Sequence, residues 1–104
     1  MKTALWGLVV ATICSSAMAQ PVDPGSGLAA ACATCHGTNG ASAGGLADLA
    51  GQPRDKLAQQ LRDFRSGNRP ATVMHQISKG YTEAQIDALA AFFASRRPRP
   101  ATRP

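Results

Sequence analysis

The sequence predicts an all-α domain of about four helices, and three observations carry that prediction. Leu57, Leu61 and Phe64 recur at i, i+4 and i+7, one apolar stripe of a helix, while Arg54, Lys56, Gln59, Gln60 and Asp63 fall mainly on its other faces. Thr82 and Gln85 form a capping-box pair ahead of a second stripe, Ile86, Leu89, Ala90 and Phe93. No stretch shows the sustained alternation that marks a half-buried strand, and no internal repeat is present.

The elements follow in chain order. Residues 1–19 read as a secretory signal: Lys2 supplies the positive start, Leu5 to Ile13 a short apolar run, and Ala17-Met18-Ala19 the small-residue cleavage pattern, with cutting expected before Gln20. The run is too short to serve as a membrane anchor. Cys14 does not read as a lipidated cysteine, because Ile13 stands where such signals have a small residue. One folded domain is expected over residues 20–95. Its first helix starts at Asp23-Pro24, a cap followed by proline at the first helical position, and runs through Leu28 to Ala31 into the cysteines.

Residues 37–52 are rich in Gly, Ala and Ser and predict a long loop with at most one helical turn, around Leu46–Leu49. A second helix is expected from Pro53 to about Ser66, ended by Gly67-Asn68 and kept from continuing by Pro70. A short third helix is expected over Thr72–Lys79, closed by Gly80. The fourth follows Thr82, with Tyr81 and Ile86 placed for a hydrophobic staple, and ends near Ser95. The basic, proline-broken tail at 96–104 has no apolar face and is expected to be extended or disordered.

Removal of 19 residues from 104 leaves 85, too few to bury a large core without a staple such as a metal or cofactor. It also removes Cys14, Met1 and Met18, leaving Cys32, Cys35 and Met74 as the only sulfur-bearing side chains, with His36 and His75 as the only imidazoles. The formal charge of +5 for the whole chain falls to +4 without Lys2. Such a balance suits an acidic protein partner; low aromatic content and the export signal argue against nucleic acid. No stable membrane insertion is expected after the signal is cleaved.

Cys32-Ala33-Thr34-Cys35-His36 has the spacing of covalent haem attachment. Two thiols three positions apart on one helical turn reach the two vinyl groups of a porphyrin, and the next residue, His36, is carried to the iron. A redox dithiol would need a βαβ context that this helical pattern lacks. Zinc would have to be assembled from Cys32, Cys35, His36 and His75, and a disulfide over so small a loop would constrain little. The cofactor expected is one covalent haem c, held at Cys32 and Cys35, with His36 on the iron.

The second axial ligand has two candidates. Met74 lies 38 residues beyond His36 and follows the break at Pro70. A thioether opposite an imidazole raises the reduction potential and suits electron transfer. His75 competes, but adjacent helical residues point about 100° apart, so one of the two faces the iron. Met74 is preferred, with His75 left to solvent or to a propionate. An open iron site that binds small gases is the remaining alternative.

CATCHGTNG, LAGQPRDKLAQQLRDFRSGNRP and VMHQISKGYTEAQIDALAAFF resemble class I cytochromes c of the c4 and c553 type, and also the haem subunit of flavocytochrome c sulfide dehydrogenase. The resemblance covers nearly all of residues 25–95. It implies a small class I fold of about four helices wrapped around one haem, making residues 20–95 a monohaem cytochrome c domain. It supports Cys32 and Cys35 as thioether sites and His36 and Met74 as axial ligands. The first and last helices would cross near the haem edge, with Gly27 and Ala31 near Leu89 and Phe93. Related chains often carry a proline in the loop after the haem motif, near the carbonyl that fixes the histidine. Here Gly44-Gly45-Leu46 stands there, so the acceptor for His36 is not named by the resemblance.

The function implied is that of a periplasmic one-electron carrier rather than an enzyme, with the electron-accepting haem subunit of a flavoprotein complex as the alternative. Arg54, Lys56, Arg65, Arg69 and Lys79 are candidates for steering toward an acidic redox partner or a flavoprotein.

Overall fold

The computed structural model describes residues 18–98 and Pro100. Residues 1–17, which hold most of the expected signal, lie outside the described residues, as do Arg99 and residues 101–104 of the tail. The described chain is all-α: α1 at Pro24–His36, a 3₁₀ turn at Thr38–Gly40, α2 at Arg54–Ser66, α3 at Met74–Ser78 and α4 at Glu83–Ala94.

Local chemistry sets each boundary. The Asp23 carboxylate accepts from the Gly25 N–H at 2.8 Å, and Pro24 fills the first helical position, so α1 starts where its cap dictates. Helix α2 begins one residue after Pro53 and ends at Gly67, which adopts the left-handed conformation and donates its N–H to the Phe64 carbonyl. The capping box of α4 forms in both directions: the Gln85 N–H donates to the Thr82 hydroxyl at 3.2 Å, and the Thr82 N–H to the Gln85 side-chain oxygen at 2.9 Å. Helix α3 is shorter than its sequence suggests, beginning at Met74 rather than near Thr72. The turn expected at Leu46–Leu49 is not helical; the helical turn of this loop lies instead at Thr38–Gly40, directly after α1.

Helix α4 is the centre of the core. It packs against α1 on one side and α2 on another, while α3 packs on α2. Ile86, Leu89, Ala90, Phe92 and Phe93 of α4 are buried with Ala29 of α1 and Leu57 and Ala58 of α2. Phe92 and Phe93 meet edge to face at 5.2 Å. The α1–α4 crossing depends on Gly25: a Cβ there would run into the Ala88 carbonyl oxygen and sit 2.7 Å from the Phe92 Cβ. Gly27 and Ala31, the pair that family resemblance places at this crossing, are both exposed, and Gly27 has nothing near its missing Cβ. The contact is made two residues earlier, by Gly25 and Ala29, one turn apart on the buried face.

On α2, Leu57 reaches the core and Leu61 packs at its margin. Phe64 lies outside the core, with the Arg69 guanidinium 5.3 Å above its ring. Beyond α4 the chain stays against the domain. The Arg96 guanidinium covers the Phe92 ring at 4.3 Å and donates to the Phe92 carbonyl, and Pro98 lies against Gly51.

Candidate haem site

Cys32 and Cys35 occupy the last turns of α1, and His36 is its final residue. Both cysteines are free thiols, Cys32 partly buried against the core and Cys35 exposed. Burial, and secondarily the neighbouring Cys35, pushes the Cys32 thiol above its ordinary range. A redox dithiol needs the opposite, a thiolate favoured by a helix N-terminus or a nearby cation. Here the pair sits at the negative end of the helix dipole. The Tyr81 hydroxyl is raised in the same direction, first by burial and then by the charge of a Cys32 thiolate.

The following loop holds His36. Gly37, at φ 81°, turns the chain out of the helix, and a Cβ there would collide with the Ala41 carbonyl oxygen. The Gly40 carbonyl then accepts from the N–H groups of Leu49 and Ala50, at 2.8 and 3.2 Å, closing the neck of a loop over residues 41–48. Inside that loop the Ser42 N–H donates to the Asp48 carboxylate at 2.6 Å. The Ala47 carbonyl oxygen is thereby set 2.8 Å from His36 Nδ1. A carbonyl only accepts, so Nδ1 carries the hydrogen, and in the neutral imidazole Nε2 is left with its lone pair. A backbone carbonyl on one ring nitrogen, fixing tautomer and orientation while the other nitrogen is free, is the support a metal-ligating histidine has.

Met74, partly buried, opens α3. Among the described residues the helices bearing His36 and Met74 are not one of the closely packed helix pairs. Large apolar side chains are left in solvent at both places: Leu46, 51 % exposed, next to Ala47, and Val73 and Ile77, 56 % and 40 % exposed, flanking Met74. Ile77 is one helical turn from Met74. A flat apolar group between these elements fits what they leave uncovered. A zinc site does not: among the described residues no three His, Cys, Asp or Glu side chains converge as an ion site.

The sequence matches the cytochrome c family model over residues 22–97. The chain belongs to the cytochrome c family. It is 45 % identical over 65 residues to cytochrome c-552 of Acidithiobacillus ferridurans, covering 62 % of this chain and 28 % of that protein. It is 36 % identical over 78 residues to the cytochrome subunit of sulfide dehydrogenase of Chlorobaculum tepidum, covering 73 % of this chain and 71 % of that subunit. The solved cytochrome c4 structure of Acidithiobacillus ferrooxidans aligns with a TM-score of 0.60 at 45 % identity, over 62 % of this chain and 38 % of that one. The chain thus spans well under half the length of the c-552 and c4 relatives. The all-α fold is that of a class I cytochrome c, and the cofactor of this cytochrome is one covalent haem c.

The residue that sequence reasoning left unnamed is Ala47. Its contribution is a backbone carbonyl, which every residue possesses, and only the closure of the loop selects it. Of the five steering candidates, Arg65 is already engaged: it pairs with Glu83 and donates to the Tyr81 carbonyl at 3.3 Å.

Proposed function

We propose that this cytochrome is a monohaem one-electron carrier of the bacterial periplasm, exported by a cleaved signal over residues 1–19. In this reading Cys32 and Cys35 form the thioethers, His36 is the proximal ligand and Met74 the distal one. The observation that carries it is the 2.8 Å contact between His36 Nδ1 and the Ala47 carbonyl at the end of the helix that bears both thiols. When bound, the haem supplies a metal centre that exchanges one electron between ferric and ferrous states. The chain's own residues do the rest. The α1 turn fixes the attachment points, the 41–48 loop holds the imidazole in one orientation, and α3 presents a thioether from a separate element. No side chain performs acid-base or nucleophilic work in this scheme, so the chain by itself is a carrier and not an enzyme.

The supporting experiment has two parts. Mass spectrometry of the denatured mature protein should show one haem retained, and Cys32→Ala with Cys35→Ala should abolish the adduct. A potentiometric titration should then follow a single one-electron curve, at a potential that falls when Met74 is replaced by histidine, since thioether ligation raises it. Rapid carbon monoxide binding to the reduced protein would instead mark an open iron site and a gas-binding role.

A second reading is favoured by one finding, the sulfide dehydrogenase cytochrome subunit, of which this chain covers 71 %. The cytochrome would then be the electron-accepting partner of a flavoprotein. Co-purification with a flavin-bearing subunit that reduces the haem on addition of sulfide supports that reading; a lone protein that exchanges electrons with many partners supports the carrier.

A further inference from the structure

A cavity of about 320 Å³ lies on the flank of α2 and α3 and takes none of Cys32, Cys35, His36 or Met74 into its wall. It is bounded by Phe64, Arg65, Arg69, Pro70, His75 and Lys79. His75 follows Met74 on α3 and so points about 100° away from it, toward this separate space. No aspartate or glutamate lines the cavity.

Three cationic side chains therefore share one concave wall without a carboxylate in it. Arg65 is partly neutralised by Glu83, which also holds Arg62. Arg69 and Lys79 have no ion pair among the described residues. Arg69 is held instead by its Phe64 ring contact, which orients the guanidinium and leaves its N–H donors available. His75 adds a polar group whose Nδ1 is buried without a hydrogen-bond partner. Two unneutralised cations and a third half-neutralised, around one small cavity with no carboxylate in its wall, are the complement of a compact anion.

We propose that this cavity binds a tetrahedral oxyanion of the phosphate, sulfate or thiosulfate class, with Arg69 and Lys79 as its principal charge partners. The planar guanidinium offers paired N–H donors to two oxygens, the lysine ammonium a point charge, and the cavity is large enough for such an ion with several waters.

The test uses the haem-loaded protein and amide chemical shifts. Phosphate, sulfate and thiosulfate are titrated separately at constant ionic strength, with chloride as the control. Saturable shifts centred on residues 64–71 and 75–79 are expected, with Lys79→Gln and Arg69→Gln each weakening the binding about tenfold. The melting temperature should rise with the bound oxyanion in the wild type and not in the doubly substituted protein, since a ligand of the folded state stabilises it by mass action. Lys79→Gln keeps the test independent of the Arg69–Phe64 contact and its effect on folding. Shifts that track ionic strength alone, that are matched by chloride, or that saturate elsewhere on the surface would overturn the proposal.

Discussion

At the scale of single residues, the α1–α4 crossing separates two glycines that look alike in the sequence. Gly25 is pressed against the Ala88 carbonyl and Phe92, whereas Gly27 faces open space. Gly25→Val should destabilise the haem-loaded protein by about 2 kcal/mol, the scale of overpacking into backbone. Gly27→Ala should stabilise it by roughly 0.5–1 kcal/mol, because an exposed helical glycine costs entropy and gains no packing. Chemical denaturation of the two variants checks both signs. The sequence did not distinguish them because α1 is built almost wholly of small residues and displays no stripe. Its buried face is chosen by what α4 presents, not by its own pattern. The proposed attachment sites Cys32 and Cys35 and the proposed ligand His36 could be read from the sequence because covalent attachment imposes a rigid spacing. Ala47 was not, since its role is played by its backbone.

At the scale of elements, α4 was the most readable helix, because its start is written in side chains that bond one another. Thr82→Ala should cost about 1 kcal/mol by removing the hydroxyl that accepts from Gln85. Ile86, Leu89, Ala90 and Phe93 are buried as their spacing requires, but Phe92 is buried too, because α1 covers a second face of the helix. Helix α2 departs further from its pattern: Phe64 completes the stripe yet serves as a platform for Arg69 outside the core.

Helices α2 and α4 are also strapped by Arg62, 2.8 Å from Glu83 and 3.0 Å from Asp87, and by the Arg65–Glu83 pair. Hydrogen bonds from Arg62 and Arg65 hold the Glu83 carboxyl below its ordinary range. A lowered folded-state pKa contributes stability that is present above the unfolded value of 4.5 and lost as pH falls through the lowered one. The melting temperature should therefore fall in acid below about pH 4.5, and Glu83→Gln should flatten that dependence while leaving the haem spectrum unchanged. Because the strap lies at the surface, added salt should weaken it.

At the scale of the whole molecule, the protein core is small. Among the described residues, four of the nine buried apolar side chains are alanines, and Leu46, Val73 and Ile77 remain in solvent near the two candidate ligands. Such a core does not meet the needs of an independent domain of this length, and the haem is the group that completes it. The haem-free mature chain should accordingly show no cooperative thermal transition by circular dichroism, and a sharp melt of the haem-free form would contradict this. Length and cysteine count made the need for a staple visible in the sequence. That α1 and α3 are not among the closely packed helix pairs was not visible, because it depends on which helices pack.

The proposed function stands most directly on His36 and Met74 as the two protein ligands that would hold the haem iron. The decisive measurement is the absorption spectrum of the oxidised wild type beside Met74→Ala. The wild type should show the weak long-wavelength band of thioether-to-ferric-iron charge transfer. Met74→Ala should lose that band, bind carbon monoxide readily when reduced, and keep its haem attached. A band that persists unchanged in Met74→Ala would show that Met74 is not the ligand.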